Sequence, residues 1–325
     1  MENLHLSLPA ECLAKLESCT SLPSPPKVAL QIIQIVKNPE IDIENVVRIL
    51  ALDPALSVKI LRLANSALYA HEKKVANLQK AIMLIGLNGI LSLALSFSLV
   101  HSLRREQEVG LDHNKFWRRA LISGSTGLAL AQMCNRSDQE EMFMASFIQD
   151  IGMLVLDQVE PSLYAHPGFD QMTHQNVIAH EREHFGADHA MVGCWLLKKW
   201  NLPEDLLMAI RYSDELDQAQ PEVKDRQFLQ CVAFTGTFAD LSLSQVNDDE
   251  LYQISETIET TLKLPSLAFL EVFKKIKQLV QESAPLFDID QEGFNPDATM
   301  ERARELLALR GIILDQKINA LAAQI

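Results

Sequence analysis

The sequence predicts an all-α protein that folds as a multi-helix bundle. Along nearly every segment, apolar residues recur three or four positions apart, which is typical of the buried face of an amphipathic helix. No segment of the sequence shows the sustained apolar and polar alternation of a half-buried strand. A third observation is the pair Asp53-Pro54, a strong N-cap followed by the residue favoured at the first helical position, which predicts a helix through Ala64.

Other helices are predicted before this one. The first covers 7–19 with Ser7 as its cap, and the prolines of 22–26 make the next segment extended. Apolar stripes then predict helices at 28–38 and 42–52.

Residues 81–100 carry no charged side chain and have the length of a membrane span. Gly86, Asn88 and Gly89 interrupt this stretch, and its flanks show no clear charge asymmetry. The sequence therefore predicts two buried helices that meet at a turn, and no association with a membrane.

Composition limits the classes of function. The 325 residues include 48% hydrophobic side chains, enough for a substantial core with an extension or for two modest domains. A net charge of −14 argues against direct binding of nucleic acid through a basic face. The five cysteines form no CxxC pair, and the N-terminus lacks the features of a secretory signal. These features predict reduced thiols and a cytoplasmic location.

The character of the chain changes near residue 214. Asp214 to Glu222 is polar and acidic, which predicts a linker. Helical patterns follow, and they predict an extension that packs on the core, with segments at 228–243, 251–262, 267–280 and 298–309 and a C-terminal stretch at 312–325.

A set of motifs recurs in a characteristic order. The turn Asp53-Pro54-Ala55-Leu56 leads into Leu61-Arg62-Leu63-Ala64-Asn65-Ser66, and further matching segments are Leu22 to Pro26, Gln79 to Ile82, Leu84 to Gly86, Phe116-Trp117, Asp150 to Gly152, Glu183 to Gly193 and Trp200 to Pro203. Together they resemble the HDOD domain, the HD-related output domain of bacterial signalling proteins. The resemblance implies an HD-type bundle at 15–215, with 216–325 as a helical C-terminal extension.

The HD superfamily implied by this resemblance contains metal-dependent phosphohydrolases. Their metal ligands are a His after the Phe-Trp pair, a His-Asp dyad and a distal Asp. By position in the motifs, the first His is replaced by Arg119, and the dyad reads Gln149-Asp150. The distal Asp falls near Gly236, which has no side chain.

Some members of the superfamily use further histidines. By the same mapping, His189 is present and Ser213 stands where another would lie. Two protein ligands, Asp150 and His189, do not make a catalytic metal site, so the mapping predicts no metal and no cofactor. We hypothesise that Arg119 pairs with Asp150 and substitutes a fixed positive charge for the metal; the alternative is a surface Arg119.

A second motif points to different chemistry. His180-Glu181-Arg182-Glu183-His184 matches the HExxH pattern of zinc proteases, and Glu204 lies where one class of these enzymes keeps a third ligand. The context is poor, because Gly186 follows almost at once and acids are ordinary in the first turn of a helix. The sequence also predicts no strand of the scaffold that normally carries the motif.

The expected function is a non-catalytic signalling or regulatory module that works through contacts with other signalling proteins. The alternative is a metal-dependent phosphohydrolase acting on a nucleotide or phosphoester. A third interpretation, regulation of nucleic acid through a partner protein, is disfavoured by the charge. The sequence leaves homo-oligomerisation open.

Overall fold

The structure, a computed structural model, describes residues 8–19, 22, 30–31, 43–69, 74–105, 109–219, 225–243, 248–265, 268–306 and 308. These residues contain helices and turns and no strand, so the predicted all-α class is confirmed. Several predicted features lie outside the described residues: the Ser7 cap, most of the proline segment at 22–26, most of the helix at 28–38, and the stretch at 312–325.

The helices are numbered in chain order. The first eight are α1 (Ala10–Ser18), α2 (Ile43–Ala51), α3 (Pro54–Ala64), α4 (Leu78–Ile85), α5 (Leu87–Leu103), α6 (His113–Met133), α7 (Gln139–Phe147) and α8 (Ile151–Val159). They are followed by α9 (His174–Phe185), α10 (His189–Lys199), α11 (Glu204–Arg211), α12 (Arg226–Leu243), α13 (Asp248–Thr257), a π-helical turn (Ile258–Leu262) and α14 (Ala268–Phe287). Residues 296–306 are also helical.

The helix start predicted at Asp53 is confirmed. Its carboxylate accepts a hydrogen bond of 3.0 Å from the backbone N–H of Leu56, and Pro54 is the first helical residue. Such a cap satisfies one of the backbone donors that a helix leaves unpaired at its N-terminus.

The apolar stretch at 81–100 is divided as predicted. α4 ends at Ile85, and Gly86 has a left-handed φ of +87°, which lets the chain turn at little steric cost. The axes of α4 and α5 differ by 112°. A second segment, Gln139–Val159, has the length and hydropathy of a membrane span, yet 89% of its apolar window is buried inside the protein. Such burial is typical of a core helix.

α6 is the central helix of the bundle and packs against α7, α12 and α14. The ring of Phe287 on α14 stacks on Phe97 of α5 at 4.3 Å and lies 5.1 Å from Phe147 of α7. Phe147 in turn stacks on Trp117 of α6 at 5.7 Å. Helices on both sides of residue 216 therefore share one aromatic core, while the domain boundary at 215 stays a prediction.

A close approach of two helices positions the region of interest. In α8, a Cβ added to Gly152 would lie 1.9 Å from the carbonyl oxygen of His189, the first residue of α10. Only glycine allows this backbone contact, because real Cβ atoms do not come so near a neighbouring carbonyl.

Gly152→Ala should therefore lower the free energy of unfolding by about 3 kcal/mol or more, since the backbones of α8 and α10 must separate. The control is Gly193→Ala on the facing helix, whose Cβ would meet its nearest atom at 3.2 Å. That atom is the backbone nitrogen of Gly152, so a shift of a few tenths of an ångström is still needed, but the overlap is far smaller and the loss should be clearly smaller than for Gly152→Ala. Urea unfolding followed by circular dichroism measures both; equal losses would contradict this account of the contact.

Candidate functional site

The candidate site is built around Asp150, which precedes the first residue of α8. Its side chain is 5% exposed, and a buried carboxylate needs compensating partners. The close contact of α8 with α10 at Gly152 brings the start of α10 beside it. α6 and α9 supply further side chains that approach the two carboxylate oxygens, and α12 supplies Asp240, which pairs with Arg119 of α6.

Arg119 of α6 forms the expected ion pair with Asp150, through Nη1 and Oδ2. Its Nε also donates to Asp240 Oδ1 at 2.8 Å, and its Nη2 donates to Asp240 Oδ2 at 3.2 Å. The hypothesis of an Arg119–Asp150 pair is confirmed, and the alternative surface position is wrong. Burial alone would lower the pKa of Arg119, but the charges of Asp150 and Asp240 outweigh burial and raise that pKa.

The mapped positions 236 and 149 adjoin this guanidinium. A Cβ on Gly236 would lie 2.8 Å from Arg119 Nη2 and 3.1 Å from Gln149 Nε2. The Gln149 amide donates to Ser123 Oγ at 3.3 Å and accepts from Thr235 Oγ1 at 3.1 Å. The HD motif would have a metal ligand at each of these two positions. In this chain Gly236 has no side chain, so the Arg119 guanidinium lies in that space, and the neutral amide of Gln149 links α6 to α12.

His189 lies on the other side of Asp150. Its Nε2 is 3.6 Å from Asp150 Oδ1, and its Nδ1 is 2.7 Å from Glu181 Oε2. Glu181 also accepts from the backbone N–H of His189 at 2.8 Å and from the Tyr164 hydroxyl at 2.7 Å. Burial lowers the pKa of His189, but the charges of Glu181 and Asp214 outweigh burial and raise this pKa well above its ordinary value.

Two residues of the site were not predicted. His174, the first residue of α9, has its Nε2 4.0 Å from Asp150 Oδ1. Asp214 lies between the histidines, with Oδ1 2.9 Å from His174 Nε2 and Oδ2 3.2 Å from His189 Nε2. Burial raises the pKa of Asp214, but its interactions with His174 and His189 outweigh burial and hold that pKa well below its ordinary value.

The motif mapping predicted a site residue at Ser213, the neighbour of Asp214 in the sequence. Its hydroxyl donates to the Ile210 carbonyl at 2.9 Å, so the mapped residue itself is structural and its neighbour enters the site. Asp214, predicted as the first residue of a linker, is thus a mostly buried residue of the site, while the linker itself stays a prediction. No sequence signal marked His174, because its only motif context is the capping residue Thr173.

Three potential metal donors come together here. Asp150 Oδ1, His174 Nε2 and His189 Nε2 all lie within 4.8 Å of one another. Asp150 Oδ1 is buried and makes no hydrogen bond, and the buried His189 Nε2 contacts Asp214 Oδ2 at 3.2 Å without the geometry of one. A carboxylate oxygen and two imidazole nitrogens are suitable ligands for a divalent transition metal. The residues present thus fit a metal ion of the kind that the HD superfamily implies, with His174 added to the two donors that the motifs indicated.

The HExxH segment does not form a protease site. His180 Nε2 lies 3.0 Å from the Leu163 carbonyl, and His184 Nδ1 lies 2.9 Å from the His180 carbonyl. Since a carbonyl only accepts, both imidazoles donate to the backbone through these nitrogens. Glu181 turns inward to His189, and Glu204 is an exposed acid in the first turn of α11.

Arg119→Met should lower the free energy of unfolding by about 3–5 kcal/mol, because it leaves the buried Asp150 carboxylate without its cation. Arg118→Met is the matched control on the same helix. Its acidic neighbours Asp290 and Glu292 are 49% and 83% exposed, so water replaces the lost cation and the change should stay under about 1 kcal/mol. Urea unfolding measures both; an Arg119 variant as stable as the Arg118 variant would contradict the role of this ion pair.

Solved structures with the same fold include three bacterial proteins. A candidate phosphohydrolase from Shewanella amazonensis SB2B superimposes with a TM-score of 0.63 at 23% identity, covering 91% of this chain and 98% of that chain. An HDOD domain protein of unknown function from Geobacter sulfurreducens gives 0.63 at 19% identity, with 87% and 97% covered. A candidate signal transduction protein from Marinobacter aquaeolei VT8 gives 0.60 at 18%, with 87% and 68% covered. At these identities the likeness concerns the fold.

Sequence comparison gives one relative and one family. An uncharacterized protein of Treponema pallidum (strain Nichols) is 24% identical over 237 residues, which make up 71% of this chain and 44% of that protein. The chain therefore spans less than half the length of this relative. The family model of the HDOD domain matches residues 22–216, well over half of the 325 residues. The predicted family is thus confirmed, and the chain belongs to the HDOD domain family.

Proposed function

We propose that this chain is a non-catalytic regulatory module of bacterial signal transduction, which acts in the cytoplasm through contacts with other signalling proteins. The observation that carries the proposal is the position of the Arg119 guanidinium, between Asp150 and Asp240 and against Gly236. A fixed cation there takes the place that a hydrolase of this superfamily needs for a metal.

A metal-dependent hydrolase needs an ion with an open coordination position for water or substrate. Here Arg119 occupies Asp150 Oδ2, and the Gln149 amide is held by Ser123 and Thr235. On the other side, Asp214 lies against both histidines. Arg119 and Asp214 thus hold groups that a catalytic ion and its water would need, which favours a regulatory role.

The comparisons and the charge support contact with proteins. A protein with this fold is described as a candidate signal transduction protein, and the family is that of an output domain. A net charge of −14 disfavours a nucleic-acid surface, so an effect on nucleic acid would pass through a partner.

The second candidate function is a metal-dependent phosphohydrolase acting on a nucleotide or phosphoester. The specific observation in its favour is the group formed by Asp150, His174 and His189. Unlike the regulatory role, the phosphohydrolase function requires these three donors for activity.

The purified chain, supplied in turn with Mg²⁺, Mn²⁺, Fe²⁺, Ni²⁺ and Zn²⁺, should hydrolyse a panel of nucleotides, cyclic dinucleotides and phosphomonoesters no faster than its His174→Gln variant. The regulatory role requires the fold but no turnover. Hydrolysis that is abolished by His174→Gln, in a variant with an unchanged circular dichroism spectrum, would overturn the proposal.

A deletion strain of the source bacterium tests the same proposal in the cell. A plasmid encoding His174→Gln should restore the wild-type phenotype as fully as the unaltered gene, provided that immunoblotting shows equal protein abundance. If the protein were a hydrolase that depends on His174, the variant would fail to restore the phenotype at equal abundance.

A further inference from the structure

We infer that Asp150, His174 and His189 bind one Zn²⁺-like divalent ion in a closed, structural site on the side of Asp150 away from Arg119. Two of the superfamily's ligand positions are lost at Arg119 and Gly236, and His174, which no motif indicated, supplies a new donor. This inference goes beyond the regulatory proposal and does not depend on it.

Two buried atoms point to a missing partner. Asp150 Oδ1 and His189 Nε2 face each other at 3.6 Å in side chains that are 5% and 0% exposed; Oδ1 makes no hydrogen bond, and Nε2 contacts Asp214 Oδ2 at 3.2 Å without the geometry of a hydrogen bond. Buried polar atoms are nearly always paired with protein, water or an ion. A cation that both atoms ligate would satisfy the two at once.

Glu181 orients His189 for this role. Its Oε2 accepts from both the backbone N–H and Nδ1 of His189, at 2.8 and 2.7 Å. A carboxylate oxygen that accepts from Nδ1 keeps a proton on that nitrogen, so Nε2 is the nitrogen at which a metal ion would take the place of a proton. A carboxylate behind a ligating histidine is the usual support of a metal-bound imidazole.

His174 brings the third donor from another helix. Its ring packs edge-on against the ring of His189, with centroids 5.0 Å apart, and its Nε2 is 4.0 Å from Asp150 Oδ1. Ligands about 2.0–2.2 Å from a tetrahedral Zn²⁺ lie roughly 3.3–3.6 Å from one another. The observed separations of 3.6 and 4.0 Å reach that range by small side-chain rotations.

The surrounding charge favours a divalent cation. Four carboxylates lie in this region: Asp150 and Asp240 form ion pairs with a single guanidinium, that of Arg119, and Asp214 and Glu181 contact the two imidazoles. Arg119 is directed at Asp150 Oδ2 and Asp240, so Oδ1 of Asp150 remains available. Negative charge therefore exceeds positive charge here when both imidazoles are neutral.

Asp214 makes the site closed. Its two oxygens lie 2.9 Å from His174 Nε2 and 3.2 Å from His189 Nε2, beside the two nitrogen donors. A fourth protein ligand is the mark of a structural metal site, whereas catalytic sites keep one position for water. A metal here would hold α8, α9 and α10 together without catalysis.

The test measures zinc content and stability. The chain is stripped with EDTA, titrated with Zn²⁺, desalted and analysed for metal by mass spectrometry, and its thermal unfolding is followed with and without zinc. The unaltered chain should retain about one Zn²⁺ and unfold at a higher temperature when loaded. His174→Gln should weaken zinc binding by tenfold or more, and Glu181→Gln should weaken it by about 10–100-fold.

The matched control is His184→Gln, the same substitution at an exposed histidine of α9. It should bind zinc as the unaltered chain does. Zinc lost in His184→Gln and kept in His174→Gln would place the ion on the HExxH segment and overturn the inference. Failure of the unaltered chain to retain zinc would also overturn it.

A spectroscopic experiment on the unaltered chain gives a result that does not depend on whether a variant folds. Co²⁺ loaded into the unaltered chain should give the visible absorption of a tetrahedral site with nitrogen and oxygen ligands, and Zn²⁺ should displace it. An octahedral spectrum would overturn the closed site. Bound zinc without phosphoester hydrolysis supports both proposals. Bound zinc with hydrolysis overturns the regulatory proposal. If the chain shows no bound zinc and no hydrolysis, only the zinc-site inference is overturned.

Discussion

The whole site depends on compensation of one buried carboxylate. Asp150 is fixed at the start of α8 by the backbone contact of Gly152 with α10, so it cannot move to water. An uncompensated charge at this depth would cost several kcal/mol. Arg119 compensates Oδ2 and at the same time reaches Asp240, which connects α6 and α12 to α8. The ion pair is therefore a structural connection between three helices as well as the compensation for a buried charge.

The replacements in the HD motif are physically coupled. The Arg119 guanidinium fits because position 236 has no side chain; a Cβ there would already contact Nη2 at 2.8 Å. Gln149 adds a neutral link, since its amide bonds to both neighbouring helices through Ser123 and Thr235. Restoring a single motif residue would thus meet a guanidinium or break an amide link, so a return to the superfamily's ligand set needs several simultaneous changes.

Much of the fold and part of the site could be predicted from the sequence, and the site residues that were missed share a physical reason. The Asp53 cap and the break at Gly86 are local, since a few neighbouring residues determine them. The Arg119–Asp150 pair followed from motif positions that fix which helices face each other. His174 and Asp214 come from the start of one helix and the end of another, where nothing local indicates what they approach in space. Asp214 resembled a linker because acidic residues follow it, although its own side chain is mostly buried.

The two sides of Asp150 differ in kind, and this difference bears on regulation. A guanidinium is part of the chain and stays charged at all physiological pH values, so the connection through Arg119 is permanent. The side formed by His174, His189 and Asp214 consists of groups that can exchange a proton or a metal ion. The aromatic core around Phe287 and Trp117 is made by other residues and holds the bundle independently of both. The exchangeable side therefore bears on the relative positions of α8, α9 and α10, while the packing of the aromatic core does not depend on its state.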